Sequence, residues 1–186
     1  MKKKIEKLLK ISMWIVVIAF VMICWVAIGV FSEKVTAYSL FGHAGEAIGV
    51  AVIIVWIYEK WIWKWDPFIK DAKYAGKYKG RIIPQKEGNE IEAILEITQS
   101  FLFAEVVMYT DESRSRTISG ISEEILGVQE LIYTYMNEPK AGVRDKSNVH
   151  FGTARLSFNN IGELCGEYYT DRNTVGDMVF QRVDIG

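Results

Sequence analysis

The chain is poor in the residues from which catalytic and metal centres are built. It has two cysteines and two histidines in 186 residues. Cys24 lies inside an apolar run and Cys165 near the C-terminus, so no intramolecular disulfide is expected and a reducing compartment is tolerated. His43 also falls in an apolar run. No metal-ligand spacing, P-loop or nucleophile elbow occurs, so no catalytic residue, metal or resident cofactor is expected and an enzyme is the disfavoured class. A basic surplus is missing as well. From Tyr74 onward, 12 Lys plus Arg stand against 17 Asp plus Glu, a net charge of −5. That argues against a surface for nucleic-acid polymers, which depends on basic patches, and an anionic ligand would need a local basic pocket.

Apolar sequence, in contrast, is plentiful and concentrated early. Half of all residues are hydrophobic. "ISMWIVVIAFVMICWVAIGVF" (11–31) carries no charge and is long enough to cross a hydrocarbon core of about 30 Å as a helix. A cleaved signal peptide would have a shorter apolar region and a small-residue cleavage site, whereas here a second run follows at once. That run, "LFGHAGEAIGVAVIIVWIYEKW" (40–61), ends in Trp56, Tyr58, Trp61, Trp63 and Trp65 with Lys60 and Lys64 among them, the pattern of an interfacial aromatic belt. Lysines precede the first run and follow the second, while the "SEKVTAYS" connection has one. By the positive-inside rule both termini are cytoplasmic. The expected organisation is a basic N-terminus (1–10), a transmembrane helix (11–31), a short periplasmic loop (32–39), a second transmembrane helix with an interfacial end (40–65), a linker opened by Asp66 and Pro67 (66–73) and a cytoplasmic domain (74–186).

From Tyr74 the pattern changes from continuous apolar to alternating. "EIEAILEITQ" sets Ile91, Ala93, Leu95 and Ile97 on one face and Glu90, Glu92 and Glu96 on the other, the period of a half-buried strand. Strands are expected at Lys77–Ile83, Glu90–Gln99, Phe101–Thr110, Arg114–Ile125, Val128–Asn137, His150–Phe158, Leu164–Arg172 and Met178–Val183, with turns in "QKEGN", "TDES", "NEPKAGVRDKSN" and "RNTVG". Eight short antiparallel strands with hairpin-length turns favour an up-and-down barrel over a two-sheet sandwich. The fold class is therefore a membrane-anchored all-β protein, a helical hairpin followed by an eight-stranded barrel. Such a barrel encloses room for one small ligand, or is simply packed.

The segments "YAGKYKG" (74–80), "TDESRSR" (110–116), "LIYTYMNEP" (131–139), "HFGTARL" (150–156) and "LCGEYYTDRNTVGDMVF" (164–180), in this order after two apolar helices, resemble the two-transmembrane, β-strand-rich effectors of bacterial cyclic-oligonucleotide-based antiphage signalling (CBASS). The resemblance covers essentially the whole chain. It implies a barrel that senses a cyclic di- or oligonucleotide made by a partner synthase, and helices that oligomerise and disrupt the inner membrane, leading to abortive infection. One departure is Tyr78, where the family pattern leads one to expect tryptophan. The competing reading is a membrane-tethered, lipocalin-like barrel that binds an apolar ligand or a partner protein.

Alternation identifies candidate ligand residues within those segments. Leu164, Gly166, Tyr168, Thr170 and Arg172 share one strand face, as do Leu131, Tyr133, Tyr135 and Asn137, and as do Ser113, Ser115 and Thr117. Tyrosine rings stack on bases, Arg172 offers a bidentate phosphate contact and the hydroxyls offer donors. Arg116, Arg155 and Arg81 are the alternative phosphate contacts. Tyrosines and small hydroxyl residues also fill pleated surfaces without any ligand.

In the second apolar run, Gly42, Gly45, Glu46 and Gly49 recur at helical spacing, a small-xxx-small stripe of the kind that lets helix backbones approach closely. A carboxylate there is costly and tends to mark function, which makes this stripe the candidate oligomer contact. The alternatives are a span that begins near Ala47, leaving Glu46 among headgroups, and a protonated Glu46 paired with His43.

Overall fold

The computed structural model describes residues 2–32, 34–85, 89–145 and 147–183. Two compact units emerge, Met1–Pro67 and Phe68–Gly186.

The first unit is a helical hairpin, α1 (Lys2–Gly29) and α2 (Ala37–Lys60), followed by a 3-10 turn, Ile62–Trp65. Neither helix contains proline, so the continuous apolar pattern is free to propagate. Thr36 starts α2 as a capping box: its hydroxyl accepts from Ser39 N–H while the Ser39 hydroxyl accepts from Thr36 N–H. The helices bury Leu8, Ala27, Ala47 and Ala51, and leave most of their larger apolar side chains exposed. Both are long and apolar enough to cross a membrane by length and composition. At the end of the unit, Tyr58 donates its hydroxyl to Asp66 Oδ2 at 2.6 Å, and Lys7 Nζ lies 3.9 Å from the same carboxylate.

The second unit is a closed antiparallel barrel of β1 (Gly76–Pro84), β2 (Ile91–Gln99), β3 (Ala104–Thr110), β4 (Ser113–Ile125), β5 (Val128–Pro139), β6 (His150–Phe158), β7 (Leu164–Thr170) and β8 (Val175–Val183). Each strand pairs with its neighbour in sequence, and β1 pairs with β8 from Lys77–Val183 through Pro84–Gly176. Alternation sorts the side chains. Tyr78, Ile82, Ala93, Leu95, Ile97, Leu131, Leu156 and Phe180 fill the interior, while Lys77–Glu96, Lys79–Glu92 and Arg81–Glu90 pair on the outside.

The expected eight-stranded barrel is thus observed, with several differences in extent. Phe101 is buried but precedes β3, because the Ser100 N–H and the Phe103 carbonyl close a turn there. β7 ends at Thr170 rather than Arg172, since Thr170 N–H donates to the Thr174 carbonyl and turns the chain, with Asn173 at φ 58°. Val175 and Gly176, expected in that turn, open β8 instead. β4 carries a bulge between Thr117 and Ser119. Beside it the Thr117 hydroxyl replaces a ladder partner, accepting from Val106 N–H and donating to the Val106 carbonyl. Lys86–Gly88 of the "QKEGN" turn, Lys146 of the β5–β6 connection, Glu33 of the inter-helix loop and Asp184–Gly186 lie outside the described residues.

One end of the barrel is sealed by the chain that leads into β1. Tyr74 N–H donates to Gln99 Oε1 at 2.7 Å, Gln99 Nε2 donates to the Ala72 carbonyl, and the Tyr74 hydroxyl donates to the Gln129 carbonyl. The Tyr74 ring stacks on Phe158 with centroids 5.1 Å apart. Tyr78, in place of the expected tryptophan, completes this floor: its hydroxyl donates to the Tyr74 carbonyl at 2.7 Å and accepts from Arg182 Nη2 at 3.1 Å. A tyrosine therefore both donates and accepts here, and an indole, which has no acceptor, could not take the bond from Arg182. Replacing Tyr78 by Phe leaves the Tyr74 carbonyl without that donor and should lower barrel stability by about 1–2 kcal/mol, read as a reduced denaturation midpoint of the full chain.

Candidate functional site

The opposite end of the barrel is open. Between the β1–β2, β3–β4, β5–β6 and β7–β8 connections lies a cavity of about 770 Å³, within the size range of small-molecule sites. Its wall is apolar and aromatic at Ile82, Met108, Met178, Tyr135 and Tyr168, and polar at Ser113, Ser115, Asn137, His150, Thr170 and Arg172.

Two glycines make room for the tyrosines. Gly152 on β6 pairs with Tyr135 on β5, and any Cβ there would overlap the Tyr135 phenol at Cζ and Oη. Gly176 on β8 pairs with Tyr168 on β7, and a Cβ there would press on the Tyr168 ring and the β1 backbone. Each ring thus lies against a position without a side chain, which holds it on the cavity wall. Burial raises the phenol pKa of Tyr135 well above its ordinary value, with Tyr168 and Asp171 adding to the shift, so it stays neutral and can donate a hydrogen bond.

Above the rings, one row crosses four strands: Met108, Ser115, Asn137 and His150 are successive register partners on β3 to β6. Ser115 Oγ donates to Asn137 Oδ1 at 2.8 Å, a pair almost wholly removed from solvent. His150 Nδ1 lies 3.2 Å from the Asn148 carbonyl. At the rim, Arg172 donates from Nη1 to Ser147 Oγ at 3.2 Å and from Nη2 to the Asn148 carbonyl. It is the one guanidinium or ammonium group among the described residues lining the cavity. Carboxylates gather on the other side of the mouth, at Glu90, Glu92, Asp111 and Glu112, of which Glu90 pairs with Arg81 and Glu92 with Lys79. The mouth is therefore divided, with its cationic side built by the β5–β6 and β7–β8 connections.

Of the eight ligand residues read from the sequence, seven lie around this cavity: Ser113, Ser115, Tyr135, Asn137, Tyr168, Thr170 and Arg172. Tyr133 does not. It is 2% exposed, packed against Tyr135 with ring centroids 5.9 Å apart, and its hydroxyl has no hydrogen-bond partner among the described residues. Two of the seven are engaged in turns: the Thr170 hydroxyl accepts from the N–H groups of Arg172 and Thr174, and Thr110 Oγ1 accepts from Ser113 N–H. Thr117 is spent on β3, as described above. The three alternative arginines point outward, Arg155 to Glu130 at 2.8 Å, Arg116 to Glu138 at 3.5 Å and Arg81 to Glu90 at 2.9 Å. His150, Ser147, Met108 and Met178 were not foreseen. Two of them lie in the quoted motifs, His150 as the first residue of "HFGTARL" and Met178 within "LCGEYYTDRNTVGDMVF".

The stripe on α2 has a different setting. His43 Nδ1 lies 3.3 Å from Glu46 Oε2, and the Glu46 side chain is 63% exposed. Ala47 and Ala51 are buried, whereas a Cβ at Gly42, Gly45 or Gly49 would meet nothing within 4 Å. The glycines therefore lie off the helix face that packs in this chain.

A closed barrel sealed at one end, with an open aromatic and amide-lined cavity at the other, is the architecture of a small-ligand receptor. The chain belongs to the Cap15 family: the domain described as "Cap15, cyclic dinucleotide receptor domain" matches residues 72–182. It is also 30% identical over 187 residues to "CD-NTase-associated protein 15" of Staphylococcus schleiferi, an alignment that covers 98% of this chain and 100% of that protein. The matched segment contains all eight strands up to Arg182 and hence every wall of the cavity. Gly152→Ala should drive the Tyr135 ring off its wall and cost about 1–3 kcal/mol through overpacking, measured by chemical denaturation. A variant as stable as the parent would show that the ring has another place to go.

Proposed function

We propose that this protein is an antiphage effector whose barrel binds a cyclic dinucleotide in the open cavity, and whose two apolar helices sit in the inner membrane with both termini cytoplasmic and respond to that binding. The observation that carries the reading is the cavity itself, enclosed within the segment that matches a cyclic dinucleotide receptor domain. Its chemistry supports such a ligand. Tyr135 and Tyr168 offer faces for stacking, which is worth about 1–3 kcal/mol per base. Arg172 offers a charge-assisted contact to a phosphodiester on the one side of the mouth that is not lined by carboxylates. The polar amide and hydroxyl row suits a nucleotide better than the wholly apolar ligand of a lipocalin-like carrier. The matched domain is described as a receptor, and on this reading the ligand is expected to leave unaltered. The synthase that makes it is then a functional partner.

Calorimetry with the full chain in detergent or nanodiscs tests this directly. Cyclic dinucleotides should bind and be recovered intact, and a panel without binding, or turnover of the nucleotide, would end the reading. Arg172→Ala should weaken binding by about 1.5–3 kcal/mol, whereas Arg155→Ala, which removes an outward pair with Glu130, should leave affinity unchanged. Equal effects of both would move the phosphate contact away from the rim.

The output side of the reading places the oligomer contact on the stripe of Gly42, Gly45, Glu46 and Gly49. These positions are uncovered within the chain, and small residues permit close helix approach. Measured from Ala37, Glu46 lies about 14 Å along the helix axis, deep enough for a row of carboxylates from neighbouring copies to draw water into a bilayer. On this view Glu46→Leu retains nucleotide binding and membrane insertion but abolishes ligand-triggered dye leakage from liposomes containing the full chain. Gly45→Leu and Gly49→Leu block assembly as well. Leakage from the Glu46→Leu liposomes at the parent rate would remove the carboxylate from the mechanism.

A further inference from the structure

Asn137 is a nearly buried hydrogen-bonding group on the cavity wall, and half of it is already committed. Its side chain carries one acceptor oxygen and two N–H donors, and it is 7% exposed. Ser115, 2% exposed, donates its hydroxyl to the oxygen from β4 at 2.8 Å. The amide nitrogen has no partner among the described residues, although both side chains line the cavity. That nitrogen opens on the cavity, where a ligand acceptor can reach it.

The position of this donor favours a base edge over a phosphate. Asn137 stands two residues from Tyr135 on β5, a strand step of about 7 Å on the same face. A base stacked on that ring would bring its edge to the amide. The phosphodiesters, being charged, are better placed at the solvated rim beside Arg172 than in the buried row.

We infer that Asn137, oriented by Ser115, selects a keto nucleobase at this subsite, guanine or uracil, over an amino one, adenine or cytosine. This rests on the reading of the cavity as a cyclic dinucleotide site. The chemistry is one of complementarity at purine position 6 and pyrimidine position 4: guanine O6 and uracil O4 accept a hydrogen bond there, whereas the adenine N6 and cytosine N4 amino groups present donors against a donor. A wall with the amide oxygen turned to β4 leaves such an amino group unpaired, and sites built around a fixed hydrogen bond reject ligands that cannot make it. Asn137 acts as the specificity-determining contact, and Ser115 as a positioning residue whose hydroxyl, donating to Oδ1, leaves the amide nitrogen to the cavity.

Symmetric ligands make the test unambiguous, because whichever base enters the subsite is the same. Cyclic di-GMP, cyclic di-UMP, cyclic di-AMP and cyclic di-CMP are titrated into the full chain in nanodiscs, and the ratio of keto to amino affinities is read within each size class, guanine against adenine and uracil against cytosine. The parent protein should favour the keto member by about tenfold or more. Ser115→Ala frees the carboxamide to present either end and should shrink both ratios to within about threefold, while Asn137→Asp, which replaces the donor by an acceptor of the same shape, should reverse them. The added charge of Asn137→Asp weakens all four ligands alike and cancels in the ratio. Thermal melting of each variant without ligand checks that the barrel is retained, and the two variants test the same contact independently. Keto and amino ligands bound with equal affinity by the parent, or ratios unmoved in both variants, would overturn the inference while leaving the receptor reading intact. Absence of binding by all four would overturn both.

Discussion

The structure of the barrel unit depends on one closure, the pairing of β1 with β8. Sequential hairpins alone would leave two open strand edges and a sheet with a solvent-filled concavity. Joining Lys77–Pro84 to Gly176–Val183 removes both edges and turns the inward faces toward one another. The same two strands supply the floor, because Tyr78 comes from β1 and Arg182 from β8, and their side chains meet at 3.1 Å over the chain that enters the barrel. With one end sealed by Tyr74, Tyr78, Phe158 and Gln99, the empty volume is confined to the other end.

Closure also sets the chemistry of the open end. In a small barrel, residues from non-adjacent strands face each other across the lumen, so polar groups from β4, β5, β6 and the β7–β8 turn come to share one mouth. Larger residues sit opposite glycine where the space is narrow, as Tyr135 does with Gly152 and Tyr168 with Gly176. The acidic surplus of the unit is handled on the outside and on one side of the rim. Its carboxylates pair with Lys77, Lys79, Arg81, Arg116 and Arg155 along the outer wall, and Arg172 is left to serve the mouth. A net negative domain can thus still present a cationic edge to an anionic ligand.

The helical unit follows a different solvent logic. Its packed face is made of small residues such as Ala27, Ala47 and Ala51, and its large apolar side chains are turned outward. In water that arrangement would be unfavourable, whereas beside lipid it is the normal outcome. The glycine stripe with the exposed Glu46 side chain is the exception on that outward surface.

Much of this was legible in the sequence because it depends on local periodicity. The uncharged run 11–31 and the alternation in Ile91–Gln99 each report a burial pattern that the chain must satisfy whatever it packs against. The inward faces carrying Tyr135, Asn137, Tyr168 and Ser115 were readable for the same reason, since alternation is a property of one strand. The order of the short motifs also identified the family. Only the tertiary structure decided what lies at which height in the barrel. Tyr133 and Tyr135 share a face and differ by a single strand step, yet one is sealed in the core and the other lines the cavity, because depth is set by register with neighbouring strands. The same holds for the arginines: Arg155 and Arg172 are indistinguishable in composition, but the partner of each, Glu130 or the Ser147–Asn148 backbone and hydroxyl, is brought by a chain segment 25 residues away. Periodicity fixes which way a side chain points; closure of the barrel fixes what it meets.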